Sequence, residues 1–253
     1  MSEESASGVD GAGWDELPAR AAAFGVELPP DRLPPLRRYV ELLVEWNRYF
    51  NLTAIEAPDE ILTKHLLDSL TVASVVDLRR ARSLIDVGTG AGFPGLVLKI
   101  AYPHLRVVLL DALNKRLKFL DRVIAELGLT GVRTLHARAE DAASPGLRGP
   151  ERMREQFDVV AARAVARLNV LSEWLLPFAR VGGHVIAMKG PGIGEEVDEA
   201  AHALRLLGGG EASAHELVLP GSHLGRSLVV IPKERPTPAA YPRRPGSARK
   251  HPL

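Results

Sequence analysis

The 253-residue chain contains no cysteine. That excludes disulfides, cysteine-zinc centres and thiol nucleophiles. Aromatic residues are only 5% of the total, and methionines number three. No apolar run approaches the roughly 20 residues needed to span a bilayer. The first 16 residues hold five acids (Glu3, Glu4, Asp10, Asp15, Glu16) and no base. They lack the charged-then-apolar pattern of a secretory leader, and the missing cysteine makes a reducing cytoplasm the expected location. What remains is ordinary for a globular protein, with 46% hydrophobic and 25% charged residues. The length suffices for one large α/β domain plus an extension.

Net charge is only +1, but it is unevenly spread. The end of the chain, Pro232–Leu253, carries Lys233, Arg235, Arg243, Arg244, Arg249 and Lys250 against Glu234 alone. Such a tail suits phosphate contacts, or is simply solvated.

The most informative stretch is Leu84–Gly95. Leu84, Ile85 and Val87 read as a buried strand around Asp86. Gly88, Gly90 and Gly92 follow, and Pro94 precedes the helical pattern Leu96, Val97, Ile100. Strand, glycine turn and helix form the first half of a nucleotide-binding unit. Glycine lets the backbone turn tightly and approach a ligand, while a helix start favours an anion. A second apolar strand, Arg106–Asp111, ends in an acid about twenty residues later, where a carboxylate meets ribose hydroxyls. The dinucleotide pattern would need glycine at position 93, where Phe93 stands. Phe93 either closes over a ligand or plugs the core. The G-x-G-x-G spacing resembles the cofactor loop of class I S-adenosylmethionine-dependent methyltransferases, which replaces a pyrophosphate with an amino-acid carboxylate.

The remainder is consistent with that fold class: a mostly parallel Rossmann-like α/β sheet with a C-terminal antiparallel hairpin and an N-terminal helical extension. Strands are expected at 83–88, 106–111, 133–137, 157–162 and 184–189, and a final pair at 214–219 and 226–231. Six residues join that pair, too few for a crossover helix, so it should be antiparallel. Helices are expected at 14–24, 33–49, 59–76, 95–102, 114–127, 169–180 and 194–207, with Asp59 and Asn114 as caps. The chain divides into an acidic, disordered 1–13, a helical 14–80, a cofactor-binding 81–235 and a basic tail 236–253.

Candidate site residues follow the strand ends. Ala139 and Glu140 resemble the adenine-holding segment of these enzymes, although Glu140 and Asp141 could equally start a helix. Arg163 and Lys189 stand on the same rim. In the helical extension His65 and Asp68, three apart, share a face, in a structural pair or a substrate-positioning one.

Chemistry narrows the methyl acceptor. Cytosine-C5 methylation uses a cysteine nucleophile, which is missing. Exocyclic base amines go with Asn/Asp-Pro-Pro-aromatic after the fourth strand, where this chain reads Ala-Arg-Ala-Val. An oxygen activated by a base remains open, as does a ready lone pair. Guanine N7 offers one on an exposed base edge and needs no general base. Proximity and in-line alignment would then do most of the work. A small-molecule or other RNA methyltransferase, a nicotinamide enzyme and a non-enzymatic RNA-binding module are the rival classes.

Asn51-Leu-Thr, His65-Leu-Leu-Asp-Ser-Leu70, Asp86–Gly95, Ala139-Glu140, Arg163-Ala-Val-Ala166, Met188-Lys-Gly190 and the tail Tyr241–Gly246 with Lys250–Leu253 together resemble the bacterial 16S ribosomal RNA small subunit methyltransferase G (glucose-inhibited division protein B) family. The resemblance runs from about Asn51 to the end. It implies S-adenosylmethionine as cofactor, N7-methylguanine in 16S rRNA as product, and no metal or dedicated base. Cofactor contacts would fall on Gly88, Phe93, Ala139, Glu140 and Arg163, with Asp111 on the ribose. Asp86, Gly90 and Gly92 would complete the cofactor-binding set. The partner would be 16S rRNA, the 30S subunit or its assembly intermediate, and the enzyme a monomer.

Overall fold

A computed structural model describes residues 9, 13–147, 149, 152–163 and 166–253. The expected disordered N-terminus lies almost wholly outside these residues. Val9 and Gly13 are the exceptions: Val9 is buried, and its carbonyl accepts a hydrogen bond from Trp14 Nε1 at 2.7 Å.

Seven strands form one sheet: β1 (Ser83–Val87), β2 (Arg106–Asp111), β3 (Val132–His136), β4 (Phe157–Arg163), β5 (Ala179–Lys189), β6 (Ser213–Val218) and β7 (Gly225–Pro232). Their spatial order is β3-β2-β1-β4-β5-β7-β6. The first five run parallel, and β7 pairs antiparallel with both β5 and β6. The sequence direction reverses between β1 and β4, so the crevice beyond their carboxyl ends is where ligands bind in open sheets of this kind. Strand β5 starts five residues earlier than expected, because Ala179 pairs with Phe157 ahead of a register shift.

Alternating side chains of β1 supply two cores. Leu84 joins the layer that holds α1 (Leu33–Phe50), α2 (Gly95–Ala101) and α3 (Asn114–Glu126). Ile85 and Val87 join the opposite layer with α4 (Leu168–Leu175) and α5 (Gly194–Leu206). Leu36, Tyr39, Val40 and Leu43 of α1 are fully buried, so the helical extension shares the sheet's own core. No described helix is long and apolar enough to cross a membrane.

Three local expectations are corrected. Asp59 is not a cap: Ala57 occupies that position, and Pro58 opens the helix. Asn114 also lies inside its helix, capped by Leu113, whose N–H donates to Asp111 Oδ1 at 2.8 Å. The stretch 59–76 is not one regular helix, because Leu62–Leu67 forms a π-helical turn containing His65. The chain also makes short helices at Ala139–Ala142 and Ser247–Lys250.

Buried Asp86 organises the corner after β1. Its Oδ2 accepts from Gly95 N at 2.8 Å and Thr89 Oγ1 at 2.7 Å, while Oδ1 has no partner among the described residues. Burial raises its pKa to about 6, against the hydrogen bonds from Thr89 and Gly95. A Cβ on Gly95 would lie 2.6 Å from both Asp86 Cβ and Leu109 Cδ2, so glycine is what lets α2 sit on the strand. Gly95→Ala should therefore cost about 1–3 kcal/mol of stability, the usual range for overpacking. Gly194→Ala, where the added methyl meets nothing within 4 Å, should not destabilise the fold. Urea denaturation checks both, and equal midpoints for the two variants would contradict the packing account.

Candidate active site

Register places the candidate residues along one rim. Asp86 pairs with Leu109 on one side and Ala161 on the other. The chain leaves the sheet at Gly88, whose N–H donates to Leu110 O at 2.8 Å, beyond the end of β1 and between the neighbouring strands that end at Asp111 and Arg163. Gly88 has φ 75°, a left-handed conformation that suits glycine.

On the Asp111 side a cavity of about 400 Å³ opens. Its walls include Gly88, Asp111, Leu113, Arg116, Ala139, Glu140 and Trp174. Asp111 is buried, with Oδ2 accepting from Gly90 N at 2.9 Å and Arg116 Nη1 at 3.2 Å. Among the described residues its Oδ1 accepts only from Leu113 N. A carboxylate oxygen has about two lone pairs, so Oδ1 keeps capacity for a ligand hydroxyl. Arg116 Nε and Trp174 Nε1 are buried donors without partners among the described residues. A ligand bearing ring nitrogens and hydroxyls, as an adenosine does, fits such a cavity. The Glu140 segment forms a helical turn, and Ala139 and Glu140 line the cavity.

The basic tail folds down over this side. Gly246 N donates to Glu140 Oε1 at 3.2 Å, and the Arg249 guanidinium lies 5.1 Å from the Trp174 ring centre. Arg243 grips buried Glu173, with Nη2 to Oε2 at 2.6 Å and Nε to Oε1 at 3.0 Å. Buried Arg154 holds the approach to it, donating to Tyr241 O at 2.7 Å and Thr237 O at 2.5 Å. Arg243, at least, is thus spent on an internal acid.

On the other side of Gly88, a second cluster forms around buried Asp68. Arg226 Nε donates to its Oδ1 at 3.0 Å, and Arg163 Nη1 approaches its Oδ2 at 3.5 Å. Burial raises the Asp68 pKa against the pull of these two guanidiniums. His65 Nδ1 lies 3.1 Å from the Lys64 carbonyl and 3.2 Å from Arg163 Nη1, and a neutral ring serves one of them. The Thr53 hydroxyl serves Nε2 at 2.8 Å. Phe93 stacks on the His65 ring at 4.4 Å, with Arg163 5.1 Å from its centre.

Asp86, Gly90, Gly92 and Phe93 lie outside the cavity walls. Gly90 spends its N–H on Asp111, while a Cβ at Gly92 would come within 2.6 Å of the Tyr39 hydroxyl. Phe93 is 3% exposed, so it fills the core beneath the Asp68 cluster. Lys189 is not in that cluster either. Its Nζ is committed to Ala166 O and Glu196 Oε1, each at 2.6 Å. Ala164 and Val165, the next two residues after Arg163, lie outside the described residues. Sequence reasoning passed over Arg116, Trp174 and Arg226, and placed Gly246 and Arg249 in the tail but not at this cavity. The antiparallel hairpin did carry a signal for Arg226, since the first residues of such a strand return to the rim where β5 ends.

The family model for rRNA small subunit methyltransferase G matches residues 32–224. The chain belongs to that family. The protein of this name from Exiguobacterium sibiricum is 46% identical over 232 residues, 92% of this chain and 95% of its own. Its namesake from Moorella thermoacetica is 44% identical over 237 residues, covering 94% and 97%. Among solved structures, an O-methyltransferase from Bacillus cereus in complex with SAH aligns with TM-score 0.52 and 22% identity, over 77% of this chain and 90% of that one. Cofactor-bound Rv0187 from MTB gives TM-score 0.52 and 23% identity, over 80% and 91%. These two likenesses concern the fold, which is the class I S-adenosylmethionine-dependent methyltransferase sheet. Membership makes the chain an S-adenosylmethionine-dependent methyltransferase.

The Asp68 cluster has a pH signature. Burial, then the Arg163 charge, lowers the His65 pKa to about 3. An imidazole whose folded pKa is depressed adds stability above its ordinary value near 6.5, and loses it as pH falls toward 3. NMR should show a neutral His65 ring at pH 5. The stability advantage of the wild type over His65→Gln should shrink between pH 6.5 and 4. A ring that protonates near pH 6.5 would contradict the geometry.

Proposed function

We propose that the enzyme transfers the methyl group of S-adenosylmethionine to N7 of a guanine in 16S rRNA, acting as a monomer in the cytoplasm on the 30S subunit or its assembly intermediate. The observation that carries this reading is the rim itself. The Asp111 cavity and the Asp68 cluster flank a single glycine, Gly88, in a chain of the rRNA small subunit methyltransferase G family.

In this reading Asp111 holds the ribose hydroxyls through Oδ1. Ala139, Glu140 and Trp174 enclose the adenine, and the backbone of Gly88 passes beside the methionine portion. When bound, the cofactor supplies a methyl group on a positively charged sulfur. Guanine N7 brings a free lone pair and carries no proton at neutral pH, so no residue has to remove one. The chain's task is placement. Arg163 is held by Asp68, so its guanidinium is oriented before substrate arrives. Its side chain is 21% exposed, enough to meet a base edge or phosphate. Phe93 and His65 are the floor under it, and neutral His65 leaves the local charge to the arginines.

Unmodified 30S subunits, protein-free 16S rRNA and labelled cofactor make the direct test. The expected product is a single N7-methylguanine, with Asp111→Ala weakening cofactor binding about tenfold or more in calorimetry, the scale of a charge-assisted hydrogen bond. Label on a small molecule, or on another RNA alone, would replace the substrate assignment. Unchanged cofactor affinity in Asp111→Ala would refute the ribose contact.

A further inference from the structure

The tail's internal contacts raise the question of where RNA meets the protein. One surface beside the cofactor cavity has the chemistry for it and no role in the site described above. Helix α1 ends in Arg48-Tyr49-Phe50. Tyr49 is 77% exposed, an unusual state for so large a ring, and Phe50 is 38% exposed. Phe50 stacks on Trp46 at 5.1 Å, and Trp46 rests on buried Phe119 at 5.7 Å, so the outer ring is backed by the core.

The end of the helix is rigid by construction. Asn51 adopts φ 47°, and the Asn47 side chain closes the turn, with Oδ1 accepting from Leu52 N at 2.7 Å and Thr53 N at 2.9 Å. Aromatic groups on so fixed a turn form a prepared platform. Across from them lies the start of α3, where Lys115 Nζ reaches the Phe50 carbonyl at 3.4 Å. Leu113, 46% exposed, and Arg116 stand between this platform and the cavity and line the cavity wall.

Three cations surround the rings, and the nearest acids in the two segments are Glu45 and Glu56 on one and Asp111 and Asp121 on the other. Arg48, Lys115 and Lys118 are exposed, and none of them is in an ion pair among the described residues. Residues 46–55 and 112–120 contain no acid. Exposed aromatic rings interleaved with unpaired cations are what single-stranded nucleic acid binds: bases stack on the rings while phosphates meet the cations. A protein partner would be served by the rings, but three unneutralised cations favour a polyanion.

We infer that Tyr49 and Phe50, with Arg48, Lys115 and Lys118, form a stacking platform that holds unpaired rRNA nucleotides next to the methylated guanine. The inference rests on the functional reading above and adds to it the surface that takes the flanking RNA. Stacking one base is worth roughly a 5- to 150-fold change in affinity. The Tyr49→Ala/Phe50→Ala double variant should therefore raise the KM for RNA at least fivefold. It should weaken binding of protein-free 16S rRNA by a similar factor. Cofactor affinity should be unaltered, while Tyr49→Phe, which keeps the ring, should retain wild-type KM. Lys115→Ala should flatten the salt dependence of RNA binding. A double variant within twofold of wild type, in an enzyme that does methylate rRNA, would overturn the platform alone. A raised KM on 30S particles with unchanged affinity for protein-free RNA would put a protein there, and would overturn it too. A wild-type enzyme that transfers no methyl to rRNA would bring down the functional reading and this inference together.

Discussion

The molecule depends on a buried carboxylate that ties a turn to a helix. Asp86 is fully enclosed, and through Thr89 and Gly95 it fixes the chain between β1 and α2. Burial penalises its charged form, so it is placed at an energetic cost. The return is a corner that cannot drift. Gly88 then stands between two neighbouring strand ends, and Gly90 N is aimed at Asp111. Asp111 on one side is tied to that corner through Gly90, and Phe93, at the corner's end, stacks on His65 on the other.

A division of labour follows among residues that look alike in sequence. Of the glycines in the turn, Gly88 borders the cavity and Gly90 aligns the neighbouring carboxylate. Gly92 and Gly95 are there because a side chain would collide with Tyr39, Leu120, Asp86 or Leu109. Of the acids, Asp86 builds the corner, Asp111 faces the cavity and Asp68 holds two arginines. Asp68 is the more unusual of these. One buried carboxylate orients Arg163 from β4 and Arg226 from β7, elements that a local reading of the chain never brings together. The pair leaves a net positive charge at the rim where the substrate base would arrive.

Most of the sheet was legible because its signals are local. Apolar runs, glycine punctuation and the six-residue link between the last strands are enough to place the strands and the antiparallel hairpin. The cavity-facing acid at the end of β2 was legible too, since its distance from the glycines is set by one crossover. The tail's course was not. Its anchor is the pairing of Arg243 with Glu173, 70 residues apart, and a run of arginines looks the same whether it faces solvent or a buried acid. The π-helical turn at Leu62–Leu67 was equally hidden, because its apolar spacing reads as ordinary helix. The caps failed for a related reason. Asn114 has the right side chain, but Asp111 already serves the N–H of Leu113, the residue at the cap position.

The central claim is that the cavity between Gly88, Asp111 and Glu140 holds the adenosine of the methyl donor, with the reacting end directed toward Arg163. A crystal structure with S-adenosylhomocysteine tests it most directly. The account predicts ribose hydroxyls on Asp111 Oδ1, the adenine beside Trp174 and Glu140, and the sulfur on the Gly88–Arg163 side. The ligand seated anywhere else, or lying in the reverse direction with its amino-acid end at Glu140, would contradict it.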